Sequence, residues 1–182
     1  MSWKIRAIAA KELKHILPLC QSASNRTELT RELHELLDED DSLVKMHAVE
    51  TFAAIIGCTS QINIERDMLV EEFQPIVMRM YEERRDECLQ TLSLCSGKIL
   101  NGYLEEGDDI KSVIIDFYKL TLEIDDSQVR INAFSNLPFF YKEFGLEIDF
   151  KTVFEKVTSE EEETEVLQIL AMSLHHLFQI TD

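Results

Sequence analysis

Glycine and proline are scarce in this chain, with 5 and 3 among 182 residues. That excludes a turn-rich β architecture, which draws on both, and the compositions that stay disordered. Basic charge is also short: 18 Lys and Arg face 35 Asp and Glu, leaving a net charge of −17. A surface of that sign repels phosphate backbones and anionic membranes, so neither nucleic acid nor a membrane is an expected partner. Basic peptides and basic protein faces are attracted instead. The same charge also keeps a long exposed surface soluble. Apolar runs are short and broken by charge, too short to span a bilayer. The start, Met1-Ser2-Trp3-Lys4-Ile5-Arg6, has no long apolar stretch and no small-residue cleavage site, so no signal peptide is expected. The four cysteines, Cys20, Cys58, Cys88 and Cys95, form no CxxC pair. Cys88 and Cys95 lie roughly 10 Å apart on one predicted helix, beyond disulfide reach. Small buried thiols in a reducing compartment, cytoplasm or nucleus, are the expectation.

Motifs that carry chemistry are missing too. There is no Gly-rich phosphate loop, no Gly-x-Ser-x-Gly and no HExxH. His175 and His176 are adjacent, so a helix points them about 100° apart and they cannot share one metal as an i, i+4 pair could. His15, His34 and His47 have no acidic or cysteine partner at ligand spacing. No catalytic residue, cofactor or metal is expected.

What is present is self-similarity. Trp3-Lys4-Ile5-Arg6…Ala9-Ala10…Leu13 can be laid over Leu43-Val44-Lys45…Ala48-Val49…Phe52, over Arg84-Arg85…Cys88-Leu89…Leu92, and over Gln128-Val129-Arg130…Ala133-Phe134…Leu137. The basic slot falls at Arg6, Lys45, Arg85 and Arg130. Spacings near 40 residues are the signature of stacked helical repeats. The expected fold is all-α: one right-handed α-solenoid of antiparallel helix pairs over residues 1–182. A half repeat (1–21) precedes repeats at about 26–58, 64–101, 107–145 and 148–180.

Apolar periodicity sets the helix faces. The first helix, 2–19, turns Ile5, Ala9, Ala10, Leu13, Ile16 and Leu17 inward. A second starts at Thr27 with the stripe Leu29, Leu33, Leu36 and Leu37. The third, capped by Asp41 or Ser42 and stopped at Gly57, carries Val44, Ala48, Val49, Phe52, Ile55 and Ile56. A helix over 64–81 buries Met68, Leu69, Phe73, Ile76, Val77 and Met80, with a kink or break expected at Pro75. The helix over 84–100 buries Cys88, Leu89, Leu92, Cys95 and Ile99. The long loop Asn101–Gly107 explains the 45-residue step from Arg85 to Arg130. Helices at 109–123 (Ile110, Val113, Ile114, Phe117, Leu120) and 127–144 (Val129, Ala133, Phe134, Leu137, Phe140) follow. A short helix at 149–157 uses Phe150, Val153, Phe154 and Val157. Ser159 reads as the cap of the last helix, through a capping box with Glu162. Ala171 and Met172 are placed in the slots of Ala133 and Phe134.

Asp40-Asp41-Ser42-Leu43-Val44-Lys45-Met46-His47-Ala48 and Asp125-Asp126-Ser127-Gln128-Val129-Arg130-Ile131-Asn132-Ala133 resemble the acidic turn, Val-Arg and Ala sequence of HEAT repeats. Ser2-Trp3-Lys4-Ile5-Arg6 resembles a Ser-Trp-Arg-Val-Arg stretch recurring in the scaffold (A) subunit of protein phosphatase 2A. A similar segment occurs in regulatory subunit 1 of protein phosphatase 4. The resemblance implies a non-catalytic scaffold or regulatory module whose partner is a serine/threonine phosphatase catalytic subunit. It implies a structural ladder through Arg6, Lys45, Arg85 and Arg130, with Asp40 paired to Lys45 and Asp125 to Arg130. Met80 stands where the third unit needs its acid. It also implies a partner-binding ridge made by the turns: Asp40, Asp41, Ser42 and Leu43; Glu82, Glu83 and Arg84; Asp125, Asp126, Ser127 and Gln128. His47, Glu87 and Asn132 extend that ridge. An acidic adaptor of the nuclear-transport type, holding basic cargo, is the alternative. A tubulin-binding array ranks below both, since basic ridge residues are mostly lacking. Trp3 is either an exposed anchor for a partner or packed on a neighbouring turn, and the first helix could dock end to end on another molecule.

Overall fold

The computed structural model describes residues 2–57, 66–83, 86–104, 108–145, 149–161 and 163–180. They form helices α1 (Trp3–Ile16), α2 (Ala23–Leu37), α3 (Ser42–Ile56), α4 (Arg66–Glu83), α5 (Asp86–Gly102), α6 (Asp108–Thr121), α7 (Ser127–Phe144), α8 (Phe150–Glu160) and α9 (Thr164–Ile180). A single 3-10 turn, Leu17–Leu19, follows α1 where Pro18 ends the expected first helix. The described residues contain no strand. They divide into two compact units, Met1–Ile114 and Ile115–Asp182.

Short polar side chains start the helices. Asp41 caps α3, its Oδ1 accepting from the N–H groups of Leu43 (3.1 Å) and Val44 (3.2 Å). Asp126 caps α7 by accepting from Val129 N–H at 3.0 Å. Each satisfies backbone donors that the helix cannot. Asp149 caps α8, accepting from the Thr152 hydroxyl (2.7 Å) and N–H (3.1 Å). Those bonds, the hydroxyl's first, hold its carboxyl below the usual aspartate range. Ser22 caps α2 through Asn25 N–H, so α2 begins at Ala23 and not at Thr27. α4 continues through Pro75 without the expected break.

In the first unit α1 packs on α3, α3 on α5, and α2 on both α3 and α4. Val44, Ala48, Val49, Phe52, Phe73, Val77, Leu92 and Ile99 fill the core. Phe52 stacks on Phe73 at 5.1 Å, and His34 meets Phe73 edge-on at 5.2 Å. α1 meets α3 through Ala7, Ala10, Leu13 and the following Leu17, all buried. Ile5, Ala9 and Ile16, expected inward, are exposed. A buried bond marks the face that meets α3: Thr51 donates its hydroxyl to the carbonyl of the fully buried Ala10 at 2.6 Å. Leu29 is only half-buried. α5 runs to Gly102, two residues into the expected loop, and Tyr103 behind it is fully buried. A Cβ at Gly102 would stand 2.7 Å from Ile56 Cδ1, so only glycine lets the ends of α3 and α5 meet this closely.

In the second unit α7 packs on α9. Val129, Ala133, Phe134, Leu137 and Phe140 are fully buried, as their spacing predicts. Tyr118 stacks on Phe140 and Tyr141 leans on Phe150 at 5.4 Å. Leu120 is exposed and Leu122 takes the interior position. Ser173 on α9 donates its hydroxyl to the Phe134 carbonyl at 2.7 Å. Leu170 therefore faces α7, whereas Ala171 and Met172 are exposed and do not occupy the slots expected of them. Ser159 does not cap the last helix either. It lies in the last turn of α8, and α9 begins at Thr164.

Cys58, Arg84, Arg85 and Glu162 fall outside the described residues, as do the side chains of Met68, Leu69 and Val153.

Candidate protein-binding surface

The expected ridge residues stand at the junctions ahead of α3, α5 and α7. Two of the basic slots, Arg6 and Arg130, make ion pairs, but not with the aspartates of the Val-Arg-type turns. Arg6 on α1 reaches Glu39, with Nε 2.7 Å from Oε1 and the guanidinium donating to Oε2 at 3.2 Å. Arg130 on α7 reaches Glu161, donating to its two oxygens at 2.7 and 3.1 Å and to the Ile124 carbonyl at 2.8 Å. Each arginine reaches the turn of the following helix pair, and Arg130 grips it with the two-toothed geometry that suits guanidinium and carboxylate. Asp40 and Asp125 stay exposed: Arg130 takes Glu161 in place of the expected Asp125, and among the described residues the expected Asp40–Lys45 pair is not formed.

The accepting acid stands three residues before the first residue of the next helix: Glu39 before Ser42, and Glu161 before Thr164. The same position ahead of α5 is Glu83, and ahead of α7 it is Ile124. Lys45, buried at 7% exposure, lies with Met80, Glu83, Cys88 and Leu92 around a small cavity. Glu83, not the buried Met80, thus holds the acidic position of the third repeat.

A second recurrence was missed in the sequence. Three residues after each small slot of α3, α5 and α7 comes a hydrogen-bonding side chain: Thr51, Thr91 and Asn136. Thr51 and Ser173 spend theirs on the carbonyl of a stacked helix. Aligning hydroxyls as well as apolar residues would have put Ser173 with Thr51 and corrected the register of α9.

The ridge residues do not behave alike. Asp40, Glu82, Glu87 and Asp125 are exposed carboxylates, and Glu83 is exposed with its Oε1 4.0 Å from Arg79 Nε. Asp41 and Asp126 are committed to capping. Ser42 and Ser127 are half-buried first residues of α3 and α7. Gln128 is exposed and donates to the Asn132 side chain at 3.1 Å. Asn132 is buried, not an exposed extension of the ridge. His47 is half-buried beside Glu50, 3.3 Å away. Leu43 and His47 join Trp3, Lys4, Ala7, Ile8 and Lys11 around a groove of about 290 Å3 between α1 and α3. Trp3 is 43% exposed there, with the Lys4 ammonium 5.5 Å from its ring centre, so it is the open one of its two expected placements.

Among the described residues no three His, Cys, Asp or Glu side chains converge as a metal site requires, and no helix is long and apolar enough to cross a membrane. The Cys95 thiol is pushed up to about 12 by burial, with Glu50 adding to the rise and Lys98 and Lys14 opposing it. A thiol so protonated is a packing residue and not a nucleophile. No family model matches the chain, and no curated protein or solved structure is significantly similar to it.

Proposed function

We propose that this chain is a non-catalytic protein-binding scaffold or regulatory module, a right-handed α-solenoid of HEAT type. The observation that carries the proposal is the repeated pair of locks. Arg6–Glu39 and Arg130–Glu161 join a basic slot to the turn of the next helix pair. Thr51–Ala10 and Ser173–Phe134 join a hydroxyl to the carbonyl of the stacked helix. Contacts of the same two kinds recurring at similar spans, 33 and 31 residues for the ion pairs and 41 and 39 for the hydroxyl bonds, favour an array of equivalent units, and such arrays serve as extended surfaces for other proteins. The exposed carboxylates in and beside the turns, Asp40, Glu82, Glu87 and Asp125, are the groups a partner would meet. The partner we infer, from the resemblance of residues 2–6 and of the Val-Arg-type turns, is the catalytic subunit of a 2A- or 4-type serine/threonine phosphatase. A reducing compartment, cytoplasm or nucleus, is where it would act.

The net charge of −17 favours one second reading, an acidic adaptor that holds basic cargo. Affinity purification from the protein's own cells at low and moderate salt separates the two. A phosphatase catalytic subunit retained at both salts supports the first. A broad set of basic proteins lost as salt screens them supports the second.

A further inference from the structure

Four of the seven residues around the α1–α3 groove, Trp3, Ala7, Ile8 and Leu43, are apolar, and the other three are Lys4, Lys11 and His47. No carboxylate lines it, in a chain where acids outnumber bases 35 to 18. Trp3, Ile8 and Leu43 are 43%, 63% and 41% exposed, an apolar floor open to solvent. Lys4 and Lys11 are two helical turns apart on α1 and both exposed, so they stand along the same side of that floor. The neighbouring Arg6 is already neutralised by Glu39, which leaves the lysines as the cations a ligand meets.

We propose that this groove docks a short acidic segment of a partner protein, one that sets a bulky apolar side chain against Trp3, Ile8 and Leu43. The apolar floor supplies the anchor and the two lysines select carboxylates on either side of it. Screening confines each charge to about 8 Å at physiological salt, and the acid beside it, Glu50, is paired with His47 at 3.3 Å, so Lys4 and Lys11 decide what the groove accepts. A second copy of this chain is the poorer occupant, because two bodies of charge −17 repel as they approach. The groove and the acidic turns would take partners of opposite sign, so failure at one leaves the other standing.

Trp3 is the only tryptophan in the chain and reports on its own site. The probe is a synthetic Asp-Glu-Leu-Phe-Glu-Asp peptide titrated into the full chain, with a Lys-Arg-Leu-Phe-Arg-Lys peptide as comparison. The expected result is a saturable blue shift of Trp3 emission with the acidic peptide alone. Lys4→Glu with Lys11→Glu should weaken it by about ten-fold or more, and Ile8→Asp should abolish it, with the helical circular dichroism of both variants unchanged. No shift, an equal shift with the basic peptide, or an unchanged affinity in the lysine variant overturns the proposal. So does sedimentation showing that Trp3 is already covered by a second copy.

Discussion

Cys95 shows how far a single environment can move a residue from its ordinary chemistry. Its thiol is raised from 9.0 to about 12, mainly because burial disfavours the thiolate. The sign of the pH effect follows from proton binding. Below pH 9 the thiol is protonated in both folded and unfolded chains and contributes no slope. From 9.0 upward the unfolded chain loses a proton that the folded chain keeps, so stability falls as pH rises toward 12, by up to about 4 kcal/mol. Urea unfolding at pH 8 and pH 10.5 should show that fall, and Cys95→Ala should remove part of it. An identical fall in Cys95→Ala would show that the thiol is not shielded. Alkylation at pH 8 should label the half-buried Cys20 before Cys95.

Helix pairs are held by a few contacts whose cost depends on burial. Arg130 and Glu161 keep only 13% and 7% side-chain exposure, whereas Arg6 and Glu39 keep 29% and 28%. Glu161→Gln leaves a buried guanidinium without its counter-charge and should destabilise by about 3 kcal/mol or more. Glu39→Gln, in a wetter site, should cost about 1 kcal/mol or less. Equal losses in thermal unfolding would mean that burial does not govern this ladder. Gly102→Ala is a second test. A helical glycine normally gives way to alanine with a gain of up to about 1 kcal/mol. Here the new methyl meets Ile56, and the change should instead cost about 1–3 kcal/mol. Stabilisation in denaturant would show that the ends of α3 and α5 are not in contact. The stripe of α7 could be read from sequence because every interior position carries an apolar residue at helical spacing. The rungs could not. Asp38, Glu39, Asp40 and Asp41 are four acids in a row, as are Glu160 to Glu163, and only the positions of Arg6 and Arg130 select Glu39 and Glu161. The α1–α3 groove was equally hidden, since Ile5, Ala9 and Ile16 read as the inward face of α1, whereas Ala7, Ala10 and Leu13 are the buried residues and Ile8 is left open.

At the scale of the whole molecule, a charge of −17 and turns ending in exposed carboxylates suit the capture of a protein face carrying cations. Reversing Asp41 or Asp126 would test helix capping as much as binding, because both carboxylates accept from backbone N–H groups. Asp40 and Asp125 are exposed and cap neither helix, so they isolate the surface from the fold. The decisive measurement is a calorimetric titration of a purified 2A- or 4-type phosphatase catalytic subunit into the chain and into its Asp40→Lys, Asp125→Lys variant. The scaffold account predicts a saturable complex with the parent chain, weakened by about ten-fold or more in the variant, whose helical content is unchanged. No complex, or one of equal affinity with both chains, would contradict it.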